Sequence, residues 1–231
     1  MKIQTFIIVH SVQLIIDNYE KYSQYCPNIT WLLVSIKDHN TALLDELNIN
    51  YIECQKISGN IEHKPNLLHD TAYHIIYNNN LIDVDTDYVH LVEYDLEFDT
   101  TFVQHRDRLL ALKKEIYCHI ECPYTHCWVK PRYLNNTNDI VLQKHFKSSL
   151  SLLHRKIRHN KWMVSMNFFM TPDHFRKQYE FSLTFLPYAD NDVQFPNNAE
   201  RRFTIYCLMN NITWGVVPGI KHIFRNSHGL S

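Results

Sequence analysis

The chain has 231 residues, 45% hydrophobic and 20% charged, enough apolar content to bury a sizeable core and too much for a disordered or fibrous protein. Lys and Arg number 23 against 24 Asp and Glu, a formal charge of -1, so no polycationic coat for nucleic acid or for an anionic membrane is implied. The apolar run after Met1 is too short for a signal peptide and no stretch is long enough to span a bilayer, so the expectation is a soluble, cytoplasmic protein.

Strand and helix signals alternate through the first hundred residues. Thr5–His10 is a continuous apolar run suited to a strand buried on both faces, and Val12–Tyr25 places Leu14, Ile15, Tyr19 and Tyr22 at helical spacing. Trp31–Ser35 reads as a second strand, Ala42–Leu47 as a short helix, Tyr51–Cys54 as a third strand and Leu67–Tyr77 as a helix. Tyr88–Val92 is a further buried strand that runs directly into the acidic segment Glu93–Asp99. This alternation predicts an α/β fold with a mostly parallel central sheet flanked by helices.

The second half is less regular. Phe102–Leu112 reads as a helix, Glu115–Cys122 as a strand ending in a turn at Pro123, Ile140–Ile157 as an amphipathic helix and Met163–Phe169 as a strand. Pro172–Tyr179 reads as a helix opened by its proline and Ala199–Asn210 as another, followed by a strand or loop from Trp214. No repeat or linker divides the chain, which predicts one domain, with a regular first half (about 1–100) and a less regular second half (about 101–231).

In open α/β sheets ligands sit beyond the carboxyl ends of the strands. Those ends are His10-Ser11, Lys37-Asp38, the 59–66 loop and the Glu93–Asp95 turn. The four glycines, at positions 59, 215, 219 and 229, spell neither a GxGxxG nor a Walker loop, so a phosphorylated ligand must be neutralised by a metal or by cationic side chains. Glu93 and Asp95, one residue apart past a strand, can both reach one hard divalent cation and leave positions open for a diphosphate. Carboxylates there also cap turns, and the residues alone do not choose between the two uses. Lys64 offers a cation, and Asn60 and Asn66 offer amides for ribose or sugar hydroxyls. The same residues also make a polar loop leading into a helix, with Asn66 as its N-cap.

Six scattered cysteines without a CxxC read as reduced thiols. The Cys118–Cys127 segment contains His119, Cys122 and His126, but its spacing matches no common zinc motif and strand alternation sends Cys118 and His119 to opposite faces. A buried strand is the favoured reading. Asn28, Asn135 and Asn211 sit in glycosylation-type triplets and are expected to be ordinary surface residues.

Tyr88–Phe98, with Glu93-Tyr94-Asp95 at its centre, resembles the strand and DxD turn of GT-A-fold glycosyltransferases, and Ser58–Ala72 resembles the loop and helix that precede that strand in polysaccharide-type transferases. Glu93 departs from the motif, standing where the first Asp is found. The compact size and Asn-, Ile- and Tyr-rich character are most similar to glycosyltransferase domains of large DNA viruses of the chlorovirus type. The resemblance implies a GT-A-like fold, a Mn²⁺ or Mg²⁺ cofactor and a nucleotide-sugar donor, a UDP-sugar, with a glycan hydroxyl as acceptor for a hexosyl or deoxyhexosyl group. Asp95 and Glu93 would hold the metal, with His228 of the Asn226–Gly229 tail completing the shell. His10, Asp38, Asn60, Lys64, Asn66, Glu93 and Tyr94 would form the donor site.

Inversion at the sugar requires a carboxylate that takes the acceptor's proton opposite the leaving group. Ala199–Phe203 resembles the acidic helix start that many GT-A enzymes place beneath the acceptor, which makes Glu200 the candidate base, with Asp190 and Asp192 as runners-up. A first-turn glutamate that complements the helix dipole is the alternative for Glu200. Arg201 or Arg202 would pair with the diphosphate or with a surface carboxylate, and Trp162, Asn167 and Phe168 would line an acceptor pocket or fill the core. A non-catalytic binding module with the same fold, or a metal-dependent phosphoesterase, uses the same carboxylates differently.

Overall fold

A computed structural model describes residues 1–36, 40–58, 60–61, 68–123, 137–149, 152–153, 161–191 and 195–222. The strands are β1 (Ile3–Val9), β2 (Ile29–Leu33), β3 (Tyr51–Glu53), β4 (Tyr88–Glu93), β5 (Leu96–Phe98), β6 (Ile116–Pro123), β7 (Lys161–Met170), β8 (Gly215–Val216) and β9 (Ile220–His222). The helices are α1 (Val12–Tyr25), α2 (Ala42–Glu46), α3 (Leu68–Asn78), α4 (Phe102–Leu110), α5 (Thr137–Phe146), α6 (Pro172–Leu183) and α7 (Phe195–Met209).

The central sheet has seven strands in the order β3-β2-β1-β4-β7-β6-β8, and β5 pairs with β9 in a separate two-stranded sheet. β3, β2, β1 and β4 are parallel to one another, β7 runs against both β4 and β6, and β8 is parallel to β6. The sheet is therefore mostly parallel, as the sequence alternation predicts.

The central strands β1 and β4 are buried on both faces, and their two side-chain sets feed two cores. Phe6, Ile8, Val89 and Leu91 pack with residues of α3, α6 and α7, including Ile76, Phe175 and Phe203. Ile7, Val9, Tyr88 and Val92 pack with Ile15 and Tyr22 of α1 and Phe102 of α4. This two-sided burial explains why β1 reads as an unbroken apolar run: neither face meets water. No helix among the described residues is long and apolar enough to cross a membrane.

Several local expectations change. The Ile140–Ile157 helix starts at Thr137 and ends at Phe146, because Lys147 adopts a left-handed conformation (φ 48°) that a helix does not continue through. Pro123 is the last residue of β6 and not a turn beyond it. The acidic segment after β4 holds a short strand, since Leu96–Phe98 pairs with Ile220–His222. The Ala199–Asn210 helix begins at Phe195, with Pro196 in its first turn, a position where proline's missing N–H costs nothing. Glu200 consequently lies beyond the first turn of α7 and is neither at a helix start nor a dipole-complementing first-turn residue.

Candidate functional site

The carboxyl ends of β1 and β4 lie side by side, with Ile8 in register with Glu93. The next residues of both strands meet above that pair, where the His10 and Tyr94 rings make an edge contact at 5.1 Å between centroids. His10 is exposed, whereas Glu93, Tyr94 and Asp95 are half-buried and the Asp95 Oδ1 atom is shielded from solvent. Four of the residues expected at a ligand site, His10, Glu93, Tyr94 and Asp95, are thus brought together.

Two side chains shape this turn from beneath. The Tyr22 hydroxyl, fully buried on α1, donates to the Glu93 carbonyl at 2.8 Å and accepts the Leu96 N–H at 3.1 Å, closing the loop that carries Tyr94 and Asp95. Burial drives the Tyr22 phenol far above its ordinary pKa; the Leu96 N–H lowers it, while Cys26, Asp95 and Glu93 add to the rise. The phenol is neutral and keeps its proton for the Glu93 carbonyl. From the other side Asn167 of β7, fully buried, accepts the Glu93 N–H at 2.6 Å on Oδ1 and donates from Nδ2 to Glu93 Oε2 at 3.1 Å.

Behind Glu93 lies a buried polar group. Arg202 of α7 donates to Asp70 of α3 at 3.0 Å, with the Arg202 side chain 1% exposed and that of Asp70 10% exposed. Tyr73 of α3 stacks on Phe175, and its phenol is raised well above the usual value by burial first and then by Asp70 and Glu93, with Arg202 opposing. Arg202 therefore pairs with a buried carboxylate, in place of the diphosphate or surface carboxylate expected for it. It also faces the Phe185 ring at 5.7 Å.

The other candidates have different surroundings or lie outside the described residues. Asn60 spends its amide N–H groups on the Gln55 and Ile57 carbonyls, at 3.1 and 3.3 Å, and so tightens the loop that follows β3. Phe168 is buried and packs on Phe203 at 4.0 Å, because strand alternation turns it into the core rather than toward an acceptor. Asn167 likewise lines no acceptor pocket, since its amide is directed at Glu93. Trp162 pairs through its backbone with Cys122, and its side chain is outside the described residues. Glu200 is on α7 and Asp190 in a 3-10 turn at Leu186–Asn191, both without a described side chain. Asp38, Lys64, Asn66, Asp192 and His228 lie outside the described residues, as do His126 and Cys127.

Cys118 and His119 do point to opposite faces. The Cys118 thiol faces the Gly215 carbonyl at 3.7 Å, whereas the His119 ring meets that of His90 with an Nε2–Nε2 distance of 3.0 Å. Among the described residues no group of three or more His, Cys, Asp or Glu could hold a metal ion. A pair of carboxylates at the turn still fits a hard divalent cation of the kind that takes one or two protein oxygens and completes its shell with substrate phosphates and water. Glu93 and Asp95 are a donor set of that kind.

Sequence reasoning missed Tyr22 as part of the site, and it gave Asn167 a place in an acceptor pocket or the core instead of beside Glu93. Tyr22 sits at a core spacing on α1, and the one hint of more was that a buried phenol needs a hydrogen-bond partner. For Asn167 the signal was an amide inside a hydrophobic strand.

No family model and no curated protein matches the chain. Solved structures do. The apo structure of the bifunctional glycosyltransferase WbbM aligns with a TM-score of 0.61 and 12% identity over 97% of this chain and 46% of that one. Glucosyl-3-phosphoglycerate synthase from Mycobacterium tuberculosis, in complex with Mn²⁺, UDP and phosphoglyceric acid, aligns at 0.44 and 10% identity over 97% and 71% of the two chains. Mouse xyloside xylosyltransferase 1, in its apo form, aligns at 0.45 and 9% identity over 94% and 85%. The chain thus spans less than half the length of WbbM. With a mostly parallel seven-stranded sheet, helices on both faces and its candidate site at the carboxyl ends of β1 and β4, this chain has a GT-A-like α/β fold, which it shares with WbbM.

Proposed function

We propose that this chain is a metal-dependent glycosyltransferase, of the compact kind found in large DNA viruses, that moves a hexosyl or deoxyhexosyl group from a UDP-sugar to a glycan hydroxyl. The observation that carries the reading is the pair of carboxylates, Glu93 and Asp95, held at the carboxyl end of a central strand in a fold shared with WbbM. Nearly the whole chain takes part in that alignment, which supports the reading at the level of the fold.

In this reading residues 1–100 form the nucleotide-sugar half and 101–231 the acceptor half. Asp95 and Glu93 hold Mn²⁺ or Mg²⁺, with His228 as a third ligand. The bound ion supplies Lewis-acid charge that offsets the negative charge growing on the departing diphosphate. His10 and Tyr94, which touch at the end of β1, flank the nucleotide with Asp38, Asn60, Lys64 and Asn66. Tyr22 and Asn167 add no charge but keep the turn from relaxing, so little reorganisation accompanies donor binding. For transfer with inversion Glu200 takes the acceptor's proton, and Asp190 or Asp192 does so if Glu200 does not.

The test is Asp95→Ala in purified protein, scored on Mn²⁺-dependent hydrolysis or transfer from a panel of nucleotide-sugars. Loss of at least about a hundredfold in rate fits the loss of a direct metal ligand. A wild-type rate in the variant overturns the assignment.

A further inference from the structure

Among the described residues β7 is the one strand that runs against its neighbours in the central sheet, and it is irregular at a particular place. Its ladder with β4 covers Val89↔Met170, His90↔Phe169 and Leu91↔Phe168 and stops there. Its ladder with β6 shifts register between Cys118↔Phe168 and Ile120↔Val164. On β6 those two pairs are two residues apart and on β7 four, so β7 carries extra backbone across residues 165–167. Such a bulge re-aims a side chain. The side chain described there is Asn167.

Released from the ladder, Asn167 replaces main-chain pairing with amide pairing. Its Oδ1 takes the Glu93 N–H, the group a continued β4–β7 ladder would have served, and its Nδ2 holds Glu93 Oε2. Backbone and carboxylate of one residue are thereby fixed by one planar amide, at two points 2.6 and 3.1 Å away. Glutamate has one methylene more than aspartate and one more rotatable bond. A Glu at position 93 therefore needs an external tether to present its carboxylate in a single orientation. A fully buried donor supplies it without competition from water.

We propose that Asn167 is a positioning residue for Glu93: the β7 bulge exists to aim its amide, and the amide orients the Glu93 carboxylate for a divalent cation that also binds the donor diphosphate. The inference rests on the reading of the acidic turn as a cation site and deepens it. Asn167 does not touch the cation or the sugar. It acts through Glu93 alone, as outer-shell hydrogen bonds do around metal ligands.

The experiment is calorimetric titration of Mn²⁺, in the presence of saturating UDP, into wild type, Asn167→Asp, Asn167→Ser, Glu93→Ala and the two double variants with Glu93→Ala. Asn167→Asp keeps an acceptor for the Glu93 N–H but sets a carboxyl oxygen against Oε2 in place of the amide donor, so it removes the tether and adds a like charge or a shared proton, and Asn167→Ser, which adds no charge, tells the lost tether from the added carboxyl. Asn167→Ser shortens the side chain and is the second probe should the aspartate fail to fold. Circular dichroism and thermal melting verify the folded state of each variant. The expected result is Mn²⁺ affinity about 10–100-fold weaker in each single Asn167 variant, with no further loss once Glu93 is alanine. The electron paramagnetic resonance spectrum of bound Mn²⁺ should also change in Asn167→Asp, a signature that a merely structural role leaves alone. Unchanged affinity in folded Asn167 variants, or an equal loss with and without Glu93, overturns the positioning role while the cation site stands. Wild-type protein that takes up neither Mn²⁺ nor UDP overturns the site reading and the positioning role with it.

Discussion

The Arg202 guanidinium donates to the Asp70 carboxylate at 3.0 Å in the protein interior, joining α7, which bears Glu200, to α3. Removing one member takes a charged partner from the other in the interior, which costs about 3–5 kcal/mol, whereas replacing both by apolar groups of similar volume costs far less. Arg202→Met and Asp70→Leu should each lower the unfolding free energy by an amount of that order, seen as a lower denaturant midpoint. The double variant should recover most of it, a non-additivity read directly in chemical unfolding curves.

Tyr22 makes a second such link at shorter range. Deleting its hydroxyl strands the Leu96 N–H and the Glu93 carbonyl in a setting that admits little water. Tyr22→Phe should cost about 1–3 kcal/mol of stability. It should also weaken Mn²⁺ and UDP binding in the folded variant, because the turn carrying Asp95 is no longer closed. Calorimetry at a temperature well below the melting transition separates the two effects.

The His90 and His119 rings predict a pH dependence. His119 Nδ1 approaches the Val217 carbonyl at 3.5 Å and its Nε2 faces His90 Nε2 at 3.0 Å. A proton on His119 Nδ1 makes its Nε2 an acceptor, His90 then donates from Nε2, and the buried His90 Nδ1 carries a lone pair instead of a stranded N–H. Burial, then His119 and Arg106, hold the His90 pKa well below its ordinary 6.5. The folded state thus refuses a proton that the unfolded chain accepts, so the stabilisation is complete above pH 6.5 and is lost as pH falls below it. His74, lowered mainly by burial, adds in the same direction. On account of His90 the unfolding free energy should fall below pH 6.5 by about 1.4 kcal/mol per pH unit, and His90→Phe/His119→Phe should flatten that limb.

Gly219 holds the small β5–β9 sheet against α4. It sits at φ +96°, and a Cβ there would lie 3.0 Å from both Asp99 Oδ1 and the Phe102 backbone. Its carbonyl accepts the Asp99 N–H at 2.8 Å, while Asp99 Oδ1 already receives the Thr101 N–H and hydroxyl. Gly219→Ala should therefore destabilise by at least about 1–3 kcal/mol, seen as a lower denaturant midpoint with an unchanged slope.

Periodicity and composition alone made the parallel half of the fold legible. The apolar runs of β1 and β4, the helical spacing of α1 and the scarcity of glycine are local properties, and they led to carboxylates at a strand end and to an ion in place of a glycine loop. Tertiary structure decided which groups meet. Asn167 reaches Glu93 across 74 residues because β7 inserts antiparallel beside β4 and bulges as it does so, and Arg202 reaches Asp70 across 132 because α3 and α7 contribute to the same core. A residue's neighbours in sequence set its strand or helix and its face, but a hydrogen-bond partner that far away depends on strand order and register, which no local pattern encodes.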